Sequence, residues 1–283
     1  MTWSLVGIPD HQGVMNVGGR LGAASGPAAF RRAWARLSSL ENPSKSLEDF
    51  GDVSPIAIDV AMNHKTASRL IAKAHQKCGI SVVVGGGHDH GHSHLVGVLQ
   101  SFSSQKKKPR LGCINIDAHL DVRKPEPEIS SGSPFYLAVE SATIDASRLI
   151  EFGIQRQCNA PVLWEYVQQK KIPVVLFESL RGGKAVASFR AQLAKLSRTC
   201  DAIVISLDLD AFAHGSAPGV SAPQPEGFTP SEVFEMLRLA GLSKKTISLG
   251  IFELNPEHDR DEQTAKLAAN CAFHFIESVL RRT

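Results

Sequence analysis

Short apolar runs recur along the chain, each followed by a glycine-rich or polar stretch and then by a segment of helical periodicity. The runs predicted as strands are WSLVGI (3–8), SPIAIDV (54–60), SVVVGG (81–86), RLGCINID (110–117), RLIEFGI (148–154), PVVLFE (173–178), AIVISLDLD (202–210) and TISLGIFEL (246–254). Most are continuous rather than alternating and rich in Val and Ile, as strands covered on both faces should be. Run 54–60 carries the weakest pattern. Between the runs lie helices with start signals. SGPAAFRRAWARL offers Ser25 as a cap and Pro27 near the first turn, with Phe30, Ala33, Trp34 and Leu37 at helical spacing. In TPSEVFEMLRLAGL, Thr229 and Glu232 have the spacing of a capping box. The last helix is predicted over 262–282, with a core-facing stripe from Leu267 to Leu280 and with Arg281 and Arg282 suited to its C-terminal dipole.

Strands alternating with helices predict an α/β fold with a mainly parallel, doubly wound sheet. No internal repeat, linker or composition break divides the chain, so residues 1–283 are expected to form a single domain.

Composition removes several classes of function. A net charge of +3 is too balanced to imply nucleic acid, and the KKKPR cluster at 106–110 reads as a solvated turn. No stretch reaches transmembrane length and the N-terminus lacks the pattern of a signal peptide. The five cysteines are scattered and form no CxxC pair, which suits reduced thiols in a cytoplasmic protein.

The chemistry gathers behind the strands. After SVVV comes GGGHDHGHSH, with His88, His90, His92 and His94 at alternate positions. After LGCINI comes DAHLD, with Asp117, His119 and Asp121; after AIVISL come Asp208 and Asp210; after SLGIF comes Glu253. Ligands of open parallel sheets bind beyond the carboxyl ends of the strands, so these groups are expected on one rim. Residues two apart in an extended segment point the same way, which lets each acidic set converge. Like charges that close resist joint ionisation unless cations separate them. Two divalent ions sharing carboxylates balance the charge better than one. Oxygen-rich ligands with imidazole and no thiolate favour Mn²⁺, with Zn²⁺, Co²⁺, Fe²⁺ and Ni²⁺ as lesser options. Each motif alone has a plainer explanation: DLD can be a capped turn, and GGGH lacks the Lys-Ser/Thr of a phosphate loop. All of them together, each at a strand end, do not.

Taken as a set, GGGHD, DAHLDVR, SLDLDAFAHGSAPGVSAPQPEGFT and ELNPEHDRDEQTAKLAA resemble the ureohydrolase (arginase/agmatinase) superfamily over nearly the whole chain. The resemblance implies a three-layer arginase-like fold with about eight strands flanked by helices. It implies two Mn²⁺ per subunit, one held by His88, Asp117, Asp121 and Asp208, the other by Asp117, His119, Asp208 and Asp210. Asp117 and Asp208 would bridge them. Of the histidine run only His88 would be a ligand, with His90 and His94 in an outer shell or at the surface. The shared chemistry is attack of a metal-activated water on an sp² carbon bonded to nitrogen. Asp121 would relay its proton, and Glu253 would grip the substrate's nitrogens. Homo-oligomers are common in the superfamily.

Substrate choice rests on the loops. SSGSPF (130–135) lacks both the histidine that agmatinases place before the glycine and the asparagine of arginases. With DVR, APGVSAP and ELNP it looks most like the formimidoylglutamase branch, which hydrolyses N-formimino-L-glutamate to L-glutamate and formamide in histidine degradation. Arg123, helped by Ser131 and Ser133, would receive the substrate carboxylates. An agmatinase or other guanidino-acid hydrolase would share all six ligands, and a non-catalytic metal-binding protein remains the alternative of a different class.

Overall fold

The computed structural model describes residues 2–39, 43–54 and 56–282. Eight strands form one sheet: β1 (Trp3–Gly7), β2 (Leu47–Asp52), β3 (Ser81–Val84), β4 (Leu111–Ile116), β5 (Leu149–Ile154), β6 (Val174–Leu176), β7 (Ala202–Asp208) and β8 (Thr246–Phe252). Their order is β2-β1-β3-β8-β7-β4-β5-β6, and every pair is parallel. The helices of the described residues are α1 (Gln12–Met15), α2 (Gly26–Trp34), α3 (Val60–Cys78), α4 (His90–Gln100), α5 (Pro134–Glu140), α6 (Pro161–Lys170), α7 (Ala185–Thr199), α8 (Pro230–Leu242) and α9 (Gln263–Leu280).

Successive residues of the central strands enter opposite cores. Val82 and Val84 join the cluster under α2, α7, α8 and α9, whereas Val83 joins the one under α3, α4, α5 and α6. Helices on both faces explain why these strands read as unbroken apolar runs. The layers are helix, sheet, helix.

Four expectations need correction. The eighth strand is not 54–60. Of that run, Pro55 lies outside the described residues, Ile56–Asp59 are irregular, and Val60 opens α3 behind Asp59, whose carboxylate accepts from Ala61 N–H at 2.9 Å. The strand is LEDFGD (47–52), which pairs with β1 at the sheet edge and is half-exposed. An edge strand needs no apolar run, and its Asp49 and Asp52 are instead paired with Arg31. Ser25 ends a 3₁₀ turn and makes no capping bond. Arg281 and Arg282 follow α9 rather than closing its last turn, and Arg282 donates to the carbonyls of Gly241 and Thr246, tying the α8–β8 connection. Of the two alternatives for His90 and His94, an outer shell or the surface, the surface one falls, since both are fully buried. The capping box of α8 forms between Thr229 and Glu232. All five cysteines are free, and no helix among the described residues is long and apolar enough to cross a membrane.

Candidate metal centre

Four neighbouring strands, β3, β8, β7 and β4, end on one rim and bring the acidic and imidazole groups together. Behind β3 the chain runs against the backbone of Asp10, and a Cβ on Gly86 would lie 1.7 Å from the Asp10 carbonyl oxygen. Only glycine passes there. The turn delivers His88, whose ring stacks on Phe252 at 4.9 Å and meets the edge of Phe135 at 5.6 Å.

His88 Nε2 lies 2.8 Å from Ser206 Oγ. That contact leaves Nδ1 facing three carboxylate oxygens, of Asp121 at 2.9 Å, Asp208 at 3.0 Å and Asp117 at 3.2 Å. Nδ1 has no aligned hydrogen bond to any of them. Four donor atoms thus converge on a common point rather than on one another. A second group lies beside the first: His119 Nδ1 is 3.1 Å from Asp210 Oδ2 and 3.4 Å from Asp117 Oδ1. Octahedral cation sites with bonds of about 2.1 Å separate adjacent ligand atoms by about 3 Å, which matches these spacings.

Asp117 belongs to both groups, one oxygen in each. Asp208 belongs to one. Its Oδ1 accepts the Asp210 N–H at 2.8 Å, so only Oδ2 is turned to His88. Asp121 and Glu253 adopt left-handed backbone conformations, with φ of 47° and 65°. Such values disfavour residues other than glycine, so the two carboxylates are held in place by their surroundings. The Asp121 carbonyl accepts from Phe135 N–H at 3.1 Å, and Glu253 N–H donates to Gly86 O at 2.8 Å. Glu253 Oε1 accepts the His88 N–H at 2.8 Å, while Oε2 is buried without a partner.

Except for the fully buried Asp117, these groups line a cavity of about 380 Å³ together with Arg123, Ser131 and Gly132. Arg123 is exposed at its mouth. Ser133 is fully buried, its Oγ 3.2 Å from Ser130 Oγ, and faces the loop rather than the cavity. Residues passed over in the sequence hold the ligands in place. Ser206 orients His88. Asn159 accepts from Leu120 N–H at 2.8 Å and donates to Ala118 O at 3.1 Å, which fixes the DAHLD turn. Asn115 reaches both Asp117 and the buried Glu151. Ser206 and Asn115 had a legible signal, since each precedes a ligand, Asp208 or Asp117, by two and shares its face; Asn159 had none.

Without cations, burial and then Asp117 push the Asp121 carboxyl up to about 6. Burial and Asp208 push Glu253 up to about 8. Against their own burial, the carboxylates hold the His88 and His119 imidazoles well above their usual range. Loading metal on protein stripped by chelator must therefore displace protons. Affinity is expected to weaken by about tenfold or more for each pH unit below 8, one factor of ten per proton released. Calorimetry at pH 7 in buffers of different ionisation heat reads the count; an observed heat that is the same in every buffer would contradict it.

The sequence profile of the Arginase family matches residues 1–277. Formimidoylglutamase of Staphylococcus aureus (strain MSSA476) is 32% identical over 273 residues, covering 96% of this chain and 85% of the relative. The crystal structure of Trypanosoma cruzi formiminoglutamase with Mn²⁺₂ superposes with a TM-score of 0.88 at 27% identity, over 99% of this chain and 94% of that one. Arginase from Bacillus subtilis, at 23% identity and a TM-score of 0.84 over 98% of each chain, shares the fold.

Proposed function

The chain belongs to the arginase family, and on that premise we propose that it is a binuclear manganese hydrolase that cleaves N-formimino-L-glutamate, a linear amidine, to L-glutamate and formamide. One observation carries the chemistry: two ligand groups joined through Asp117 line the same cavity as the unpaired carboxylate oxygen of Glu253. The substrate follows from the relatives, which are named formimidoylglutamase and formiminoglutamase. All eight strands share one sheet, which supports reading residues 1–283 as one domain.

The donor set fits manganese: carboxylate oxygens and imidazole, no thiolate, and spacings suited to six-coordination. His88, Asp117, Asp121 and Asp208 would hold one ion. Asp117, His119 and Asp210 would hold the other, and Asp208 is grouped with the first alone. When bound, the pair supplies an activated water and positive charge for the developing anion. The remaining steps belong to side chains. Glu253 Oε2 accepts from the nitrogens of the amidinium, a charge-assisted contact that turns the reacting carbon towards the pair. Asp121, at the cavity wall, receives a proton from the nucleophile and returns it to the leaving nitrogen. Arg123 and Ser131, nearer the mouth, receive the glutamate carboxylates. Ser133 supports the loop from behind.

Because Arg123 is exposed, its pairing is screened and Arg123→Ala is expected to raise KM for the dicarboxylate about tenfold, or about 1.4 kcal/mol, with kcat and metal content little changed. An unchanged KM would move the carboxylate contact elsewhere. The decisive assay is a panel of formiminoglutamate, agmatine, arginine and guanidinobutyrate with the Mn²⁺-loaded protein. Faster turnover of agmatine than of formiminoglutamate would replace the present assignment with an agmatinase.

A further inference from the structure

Outside the cavity just described, α3 and the start of α4 bring a second set of ligating groups together. His64 Nε2 lies 2.8 Å from Asp89 Oδ2, and His90 Nε2 lies 3.7 Å from that oxygen and 3.0 Å from Asp10 Oδ2. All four side chains are buried. The donor atoms of His64, Asp89 and His90 lie within 4.8 Å of one another, and none takes part in the groups around Asp117. Tetrahedral zinc with bonds of about 2.0–2.1 Å spaces its ligand atoms by about 3.3 Å, inside the range seen here.

Two independent features point to a ligand. Asp89 is 1% exposed, yet its Oδ1 has no partner. Both nitrogens of His92 are buried and unpartnered, although an imidazole always carries at least one N–H. The His92 ring stands 5.7 Å from that of His64, and both line a separate cavity of about 390 Å³. That cavity gives a route in from solvent.

We propose that His64, Asp89 and His90 form a third cation site, distinct from the manganese pair, with a solvent molecule completing it, and that His92 stands at its entrance. Two imidazoles with one carboxylate suit a borderline ion such as Zn²⁺ rather than Mn²⁺. The ion would join α3 to the segment that carries His88, so its role is to brace the main centre without sharing a ligand with it.

Elemental analysis after stripping and dialysis against excess Zn²⁺ tests the site with the metal alone. Wild-type protein should carry three ions per chain and His64→Asn two. Asp117→Asn/Asp210→Asn, which dismantles both groups of the main centre, should retain one. Two ions in the wild type, or three in His64→Asn, would overturn the site. Asp89→Asn serves in place of His64→Asn should that variant not fold, and the wild-type count needs no variant at all.

Discussion

Asp117→Asn is expected to remove both manganese ions together and to lower kcat/KM by about a thousandfold or more. The magnitude follows from losing Lewis-acid stabilisation worth several kcal/mol, since 1.36 kcal/mol is a factor of ten. The breadth follows from geometry. Asp117 gives one oxygen to the group around His88 and the other to the group around His119. Asp208→Asn removes an oxygen from the first group alone, because Asp208 lies with His88, Asp117 and Asp121 and not with His119 and Asp210. It should therefore leave roughly one ion bound per chain. Metal counts on the two variants decide the matter. Equal loss from both would make Asp208 a second bridge, as the family resemblance implies.

Acid should unfold the metal-loaded protein well before its carboxylates are all neutral. Burial pushes His75 down to about 4 and His94 down to about 3. They sit at the ends of a buried chain in which His75 Nδ1 meets Ser81 Oγ at 2.9 Å, Ser81 Oγ meets Ser248 Oγ at 2.6 Å, and Ser248 Oγ meets His94 Nε2 at 2.5 Å. Both rings stay neutral in the fold and take up a proton below about 6.5 once unfolded. Their contribution is therefore whole above pH 6.5 and is lost as pH falls towards 4 and then 3. At 1.36 kcal/mol per pKa unit, each loses about 3 kcal/mol or more, a large share of the 5–15 kcal/mol typical of a domain. Asp121 and Glu253 act in the opposite sense when metal is stripped, since their raised values favour the protonated fold. The clean readout is thus a difference: urea unfolding of metal-loaded wild type and His75→Gln from pH 7.5 to 4. The stability gap between them should shrink by about 3 kcal/mol on acidification, from one group's shift. A gap independent of pH would mean that His75 is not neutral inside.

The strand ends were legible because chemistry and hydrophobicity coincide there. SVVV, LGCINI, AIVISL and TISLGIF are buried on both faces, and each runs into a polar residue that nothing in a core could satisfy, the last three directly and SVVV across three glycines. The edge strand was not legible. LEDFGD is half-exposed, so its sequence carries no apolar run, while the more apolar 54–60 is a connection into α3. Asn159 escaped for another reason. An amide that fixes a loop through three hydrogen bonds looks the same in sequence as one in water, and only the fold shows its partners. Ser133 shows the converse: a residue next to the cavity in sequence can face away from it in space.

The strand order has a consequence for how the chain reaches its active form. β8 lies between β3 and β7, so until it is inserted the strands on either side, β2-β1-β3 and β7-β4-β5-β6, have no hydrogen-bonded junction. His88 and Glu253, which meet through one hydrogen bond, are 165 residues apart. During synthesis the two halves of the sheet can each begin to collapse, but the rim that faces the cavity cannot close until β8 has emerged. Contacts of such long range are slow to form and leave open strand edges exposed in the meantime. Manganese uptake during refolding should accordingly trail the recovery of helical signal, since the ions can be held only by a chain whose central strand is already in place.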